Sequence, residues 1–152
     1  MNHYSKPIQV RWSDLDPNFH VRHSVYYDWG AFVRIALLTE SGLTPAEMMK
    51  AQIGPILFRE ECIFKKEVHY NDSLEMTVEI TKSTRDGGRW TMVHELWKNK
   101  EIRCAVLTVD GAWMDAVKRK LAVLPDHFRE RFAHFPRSAQ FAWTEGKTGS
   151  GE

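Results

Sequence analysis

One long apolar segment at helical spacing occupies residues 24–41, and after Gly54 the chain consists almost wholly of alternating runs. Val25, Tyr26, Trp29, Phe32, Val33, Ala36 and Leu37 recur every three or four positions. Ile35 and Leu38 fill the opposite side, so the spacing predicts a helix buried nearly all round. Ser24 is the expected N-cap, Asp28 suits the first turn, and Ser41-Gly42 ends the helix. A second, short helix opens at Thr44-Pro45-Ala46-Glu47, with Thr44 as cap, Pro45 at the first position and Glu47 completing a capping box. Beyond Gly54 the period becomes two. Leu74, Met76, Val78 and Ile80 alternate with Glu75, Thr77, Glu79 and Thr81. The Arg85-Asp86-Gly87-Gly88 turn leads into a strand over 89–97, and Lys98 to Glu101 turn the chain again. Residues 102–114 are apolar on both faces, as a central strand would be, with Leu107, Val109 and Trp113 on one and Cys104, Val106 and Met114 on the other.

Residues 8–13 predict a short first strand and residues 55–68 one more. A last short helix follows Pro125, with Asp126 as cap and Phe128 and Phe132 on one face. A helix with two apolar sides cannot be satisfied by packing on a flat surface. The expected architecture is therefore α+β: an antiparallel sheet of about five strands wrapped around a long central helix. Residues 1–136 form the single domain and 137–152 a flexible C-terminal tail, which ends in the small polar run Glu145 to Glu152. A lone sheet leaves an edge or a face uncovered, so self-association is expected.

Charge and cysteine content narrow the function classes. At a formal net charge of +1, nothing marks a nucleic-acid binder. Cys62 and Cys104 lie apart in strand-like runs, without disulfide or zinc spacing, and suit a reducing compartment. The N-terminus lacks a secretory apolar run and no segment predicts a membrane span, so the expected location is the cytoplasm.

Between the first strand and the long helix, the segment "RWSDLDPNFHVRHSVYYDWG" concentrates Asp14, Asp16, His20 and His23. A solvated loop accounts for such residues taken singly. As a metal set, Asp14-x-Asp16-x3-His20-x2-His23 matches no known ligand spacing, and no metal or other cofactor is expected. Ser13, Ser24 and Cys62 are available as nucleophiles, but no G-x-S-x-G elbow surrounds them. A carboxylate just ahead of a helix start is a different matter. Backbone N–H groups there are unpaired and favour developing negative charge, and together these are two of the parts that acyl transfer requires.

"SDLDPNFHVRHSVYY", with the order of elements around it, resembles the hotdog-fold acyl-CoA thioesterases of the 4-hydroxybenzoyl-CoA thioesterase group over about residues 8–133. The resemblance implies a hotdog fold in which Asp16 takes the place of the catalytic Asp, with Tyr26 ten residues later. His23 matches a His found in one branch of the family, and Arg34 the Arg late in the helix. Two departures stand out: the common "HVNN" is "HVRH" here, and the acidic pair that often precedes the helix Arg is missing from residues 30–33. The resemblance implies hydrolysis of an acyl- or aroyl-CoA thioester, with Asp16 and His23 catalytic and His20, Ser24 and Tyr26 binding substrate. The alternatives are an acyl-binding protein without turnover, or release of an acyl group from a carrier protein. It also implies a homodimer or homotetramer with the site across the join. Lys65, Lys66, Arg89, Lys118, Arg119 and Lys120 are the candidates to meet coenzyme A phosphates. Glu60, a carboxylate on an apolar strand face, is either turned outward by a bulge or has a catalytic role, and the sequence leaves both readings open.

Overall fold

The computed structural model describes residues 3–145. Eight strands join in one sheet among the described residues. In chain order the elements are β1 (Ser5–Ile8), a 3-10 turn (Trp12–Asp14), α1 (Val25–Glu40), α2 (Pro45–Ala51), β2 (Ile53–Phe64), β3 (Leu74–Thr77), β4 (Glu79–Thr84), β5 (Arg89–Lys98), β6 (Ile102–Asp115), β7 (Lys120–Leu121), α3 (Asp126–Ala133) and β8 (Arg137–Thr144). β5 is central. It pairs with β3 and β4 on one side and with β6 on the other, all antiparallel. β6 then pairs with β2, from Ile53↔Asp115 to Phe64↔Ala105. β1 borders β3, and β8 borders β4 in parallel.

This is the curled sheet around one helix that the change of period predicts. Every second residue of β5 and β6 is buried, including Trp90, Met92, Leu96, Leu107 and Val109, and Val25, Val33 and Leu37 of α1 lie among them. Gly111 is required where β6 runs between β5 and β2. A Cβ there would lie 2.4 Å from the Trp90 ring and 2.5 Å from the Ile56 carbonyl. α3 closes one end of the sheet by setting Phe128 and Phe132 edge-on against Trp113, at 6.0 and 5.9 Å between ring centroids.

Several local expectations change. α1 is buried on one side only, since Phe32 and Ile35 are exposed. Ser24 is not a side-chain cap; its backbone is already helical and its hydroxyl accepts from Arg22 Nε at 3.2 Å. Thr44 does cap α2, accepting from the Glu47 N–H at 3.1 Å. The first strand lies earlier than expected, at Ser5–Ile8. Residues 137–144, expected in the tail, form β8, and residues 146–152 lie outside the described residues. β2 carries its bulge at Phe58, between the pairs Leu57↔Gly111 and Arg59↔Asp110. That bulge does not turn Glu60 outward. It switches the face of the residues before it, and Glu60 stays on the helix side. Among the described residues no helix is long and apolar enough to cross a membrane.

β2 has no strand on its outer edge among the described residues. Leu57, Phe58, Ile63 and Phe64 are exposed along it.

Candidate active site

Asp14 and Asp16 look alike in the sequence and are placed quite differently by the fold. Asp14 is buried at the end of the 3-10 turn, where Arg11 grips it through Nε at 3.1 Å, Nη2 at 2.8 Å and its backbone N–H at 2.8 Å. Burial pushes the Asp14 carboxyl up, but the Arg11 bonds and the charges of Arg11 and Arg22 outweigh it and hold the group below the usual carboxylate range. The Asp14 carbonyl also accepts the Arg22 N–H at 2.9 Å, and the Arg22 guanidinium bonds the Ser13 carbonyl. Asp14 and Arg22 therefore brace the loop.

Asp16 opens a tight turn. Its Oδ1 accepts the Asn18 N–H at 2.8 Å, its carbonyl accepts the Phe19 N–H at 3.0 Å, and its own N–H donates to the His20 carbonyl at 2.9 Å. These bonds hold Phe19 at φ 62°, a left-handed conformation that costs a non-glycine residue on the order of 1 kcal/mol. The turn is pinned to the body of the protein by the Val21 N–H donating to the Val68 carbonyl at 2.8 Å and by the bridge between His20 and His69. The second carboxylate oxygen, Oδ2, lies 3.1 Å from His20 Nδ1, and the Asp16 side chain keeps 23% of its surface open.

That opening is a cavity of about 300 Å³. Asp16, His20, His23 and Tyr26 form one wall, and Phe64, Lys65, Lys66 and Glu67 stand opposite. Of the five residues expected to act on or bind the substrate, Asp16, His20, His23 and Tyr26 are on it and Ser24 is not. Tyr26 is buried, with its ring edge-on to Phe64 at 4.9 Å, and burial pushes its hydroxyl above its ordinary value. Lys65 and Lys66 are held at the rim because both backbone N–H groups donate to the Cys104 carbonyl, at 2.8 and 3.0 Å. Of the other basic candidates, Arg89 lies over the Phe58 ring, and Lys118 and Arg119 sit in the turn between β6 and β7. The Val25 N–H that opens α1 donates to the Arg22 carbonyl at 3.2 Å, and His23 and Tyr26 on either side of it line the cavity, which thus combines a carboxylate, an imidazole and a helix start. No group of three or more His, Cys, Asp or Glu side chains that could hold a metal occurs among the described residues.

A second polar cluster lies deeper, under the middle of α1, and only part of it was singled out in the sequence. Arg34 Nη1 lies 2.9 Å from His94 Nε2, and His94 Nδ1 lies 2.9 Å from the Thr77 carbonyl. A carbonyl and a guanidinium leave one assignment: Nδ1 carries the proton and donates to Thr77, while Nε2 accepts from Arg34. His94 is fully buried, and that burial, with the charge of Arg34 beside it, pulls the imidazole down to about 3 despite the opposing Thr77 bond. Arg34 Nη2 lies 3.5 Å from Glu60 Oε2, which explains the carboxylate on the inner face of β2. Gly30 makes room for this. A Cβ there would come within 3.1 Å of Arg34 Nη1 and 3.3 Å of Leu107. The available signal was His94 itself, an imidazole in the apolar alternation Trp90, Met92, His94, Leu96.

Comparison with known proteins fits this architecture. The profile of the thioesterase-like superfamily matches residues 10–132, and the chain belongs to that superfamily. No curated protein matches it in sequence. Among solved structures, it is similar to a Staphylococcus aureus protein in complex with CoA, at TM-score 0.83 and 17% identity, covering 95% of this chain and 90% of that one. It is also similar to a DHNA-CoA thioesterase from Staphylococcus aureus, at TM-score 0.79 and 18% identity over 88% of this chain and 90% of that one. A 1,4-dihydroxy-2-naphthoyl-CoA thioesterase from Synechocystis gives TM-score 0.77 and 16% identity over 88% and 97%. The fold is thus the hotdog fold.

Proposed function

We propose that the chain is an acyl-CoA thioesterase that hydrolyses its substrate in the cavity beside Asp16. The observation that carries this reading is the meeting of the partly open Asp16 carboxylate with the start of α1 at one cavity. The thioester carbonyl lies with its oxygen toward the N–H groups near His23 and Ser24. Asp16 takes a proton from a water whose oxygen adds to the carbonyl carbon. The tetrahedral oxyanion is stabilised at the helix start, where one well-aimed donor is worth about 2.7–4 kcal/mol. As the carbonyl re-forms, the C–S bond breaks and coenzyme A leaves as the thiolate. The products are the free acid and coenzyme A. The Asn18 N–H and His20 hold the carboxylate in position, and His23 donates to the substrate carbonyl or its oxyanion. Tyr26 and Phe64 supply apolar wall for the acyl group, and Lys65 and Lys66 at the rim meet the phosphates of coenzyme A.

The active form in this reading is a homodimer. The free edge of β2, with Leu57, Phe58, Ile63 and Phe64 exposed along it, pairs with its copy, and Phe64 carries that edge to the cavity. Structural neighbours whose names state an activity on CoA thioesters support the choice of substrate class. The test is a thiol-release assay over acetyl-, medium-chain, long-chain and aromatic CoA thioesters. Turnover of at least one class is expected, and no release above the uncatalysed rate from any of them would refute the reading.

A further inference from the structure

Residues 65–73 join β2 to β3 and contain no helix or strand, yet Lys65, Lys66 and Glu67 make the cavity wall that faces Asp16. Irregular segments of this kind are ordinarily the loosest part of a fold. Here one side chain from the sheet holds the segment at two points. Lys98, the last residue of β5, donates from Nζ to the Glu67 carbonyl at 3.1 Å and lies 3.4 Å from Asp72 Oδ2. The same Asp72 oxygen accepts the His69 N–H at 2.8 Å. The Lys98 side chain is 17% exposed and that of Asp72 22%, so both have given up most of their contact with water, and the pair is screened less than one on the open surface.

This latch stands apart from the reacting groups. Neither Lys98 nor Asp72 lines the cavity, and the Asp16 carboxylate is oriented by other bonds, from the Asn18 N–H and His20. What Lys98 fixes is the wall. Through Glu67 it holds the backbone that follows Lys65 and Lys66, and through Asp72 it holds the arm that returns to β3. A wall ordered before substrate arrives need not be ordered at the expense of affinity.

We propose that Lys98 and Asp72 are positioning residues, whose ion pair presets the 65–72 segment so that Lys65 and Lys66 meet the phosphates of coenzyme A without further ordering. This rests on the thioesterase reading, which brings coenzyme A to that rim. Charge alone would leave a different signature. Lys98→Met leaves Asp72 uncompensated and repels phosphate, whereas Asp72→Asn leaves Lys98 uncompensated and attracts it. Loss of the latch weakens binding in both, and the amide that replaces the Asp72 carboxylate still accepts the His69 N–H. The experiment measures kcat and KM for a coenzyme A thioester that the wild type hydrolyses, in Lys98→Met, Asp72→Asn and the double variant. KM is expected to rise about fivefold or more in each single variant, the cost of ordering two long side chains on binding, with kcat within about twofold of the wild type. The double variant should show no further rise, because the second change finds the pair already broken. Unchanged KM, shifts of opposite sign in the single variants, additive rises in the double variant, or a fall in kcat with KM kept overturns the inference. If no thioester is turned over, the thioesterase reading is what fails, and calorimetry with coenzyme A itself then decides about the latch. Weaker binding to both single variants than to the wild type upholds it, and equal, stronger or no binding sinks it.

Discussion

Acidification tests the buried Arg34–His94–Thr77 chain directly. The folded protein cannot accept a second proton on His94 without setting an N–H of the imidazolium against the Arg34 guanidinium, and burial adds to the cost. In the unfolded chain the same imidazole titrates near 6.5. The folded value is therefore the lower one. Stability from this residue is fully present above 6.5 and is lost as pH falls toward the folded value of about 3, because only the unfolded state binds the proton in that window. Between about pH 7.5 and about pH 5 the loss amounts to about 2 kcal/mol, from roughly 1.4 kcal/mol per pH unit below the unfolded value. Carboxylates held low by their partners, such as Asp14 and Asp86, titrate below that range and contribute little within it. His94→Asn supplies the control. Its amide can still donate to the Thr77 carbonyl but does not titrate, and its loss of the Arg34 bond costs about 1–3 kcal/mol at neutral pH. Urea unfolding of both proteins at one fixed protomer concentration should show the stability gap narrowing by about 2 kcal/mol from pH 7.5 to pH 5. Parallel pH profiles would refute the assignment of a neutral, proton-refusing His94.

Asp14→Asn should destabilise the protein by about 2 kcal/mol, since it removes the charge that Arg11 grips and weakens three bonds to a buried group. Denaturant midpoints check this, and an unchanged midpoint would remove Asp14 from its bracing role. Ile63→Lys places a charge on the free edge of β2, where Ile63 is 50% exposed. Sedimentation at micromolar concentration should find the wild type as a dimer and the variant as a 17.7 kDa monomer, and a dimeric variant would move the interface elsewhere.

How much of this was visible in the sequence depends on whether the signal was periodic. α1 and the long strands β5 and β6 were legible because alternation and helical spacing report directly which side is buried, and those sides face each other in the fold. The Phe58 bulge was not legible in its effect. One extra residue reverses the face of what precedes it, and only the register with Gly111 and Asp110 shows where it falls. β8 was missed for a related reason. Its residues are mostly exposed, its brief alternation of Ala139, Phe141 and Trp143 runs straight into a small polar tail, and its strand character comes from a distant partner, β4. Phe32, in the main apolar row, and Ile35, on the opposite side, were misplaced because an apolar residue on a helix is consistent with burial or with an exposed patch. At the site, the family resemblance grouped Asp16, His20, His23 and Tyr26, and the fold sets these four on one cavity, but residue type and spacing alone could not distinguish Asp14 from Asp16. Arg11, three residues before Asp14, was the local clue, since that spacing puts the pair side by side on a helical turn. The Arg34–Glu60–His94 cluster joins three separate elements, and no local pattern announces a contact of that kind.

The central claim is that the Asp16 carboxylate performs the chemistry, and the most direct measurement is thioester hydrolysis by Asp16→Asn beside its unfolding midpoint. The amide still accepts the Asn18 N–H, so the turn and the midpoint should be kept, while the loss of a proton acceptor lowers kcat by about a hundredfold or more with KM little changed. A correctly folded Asp16→Asn protein that releases coenzyme A at the wild-type rate would contradict the account.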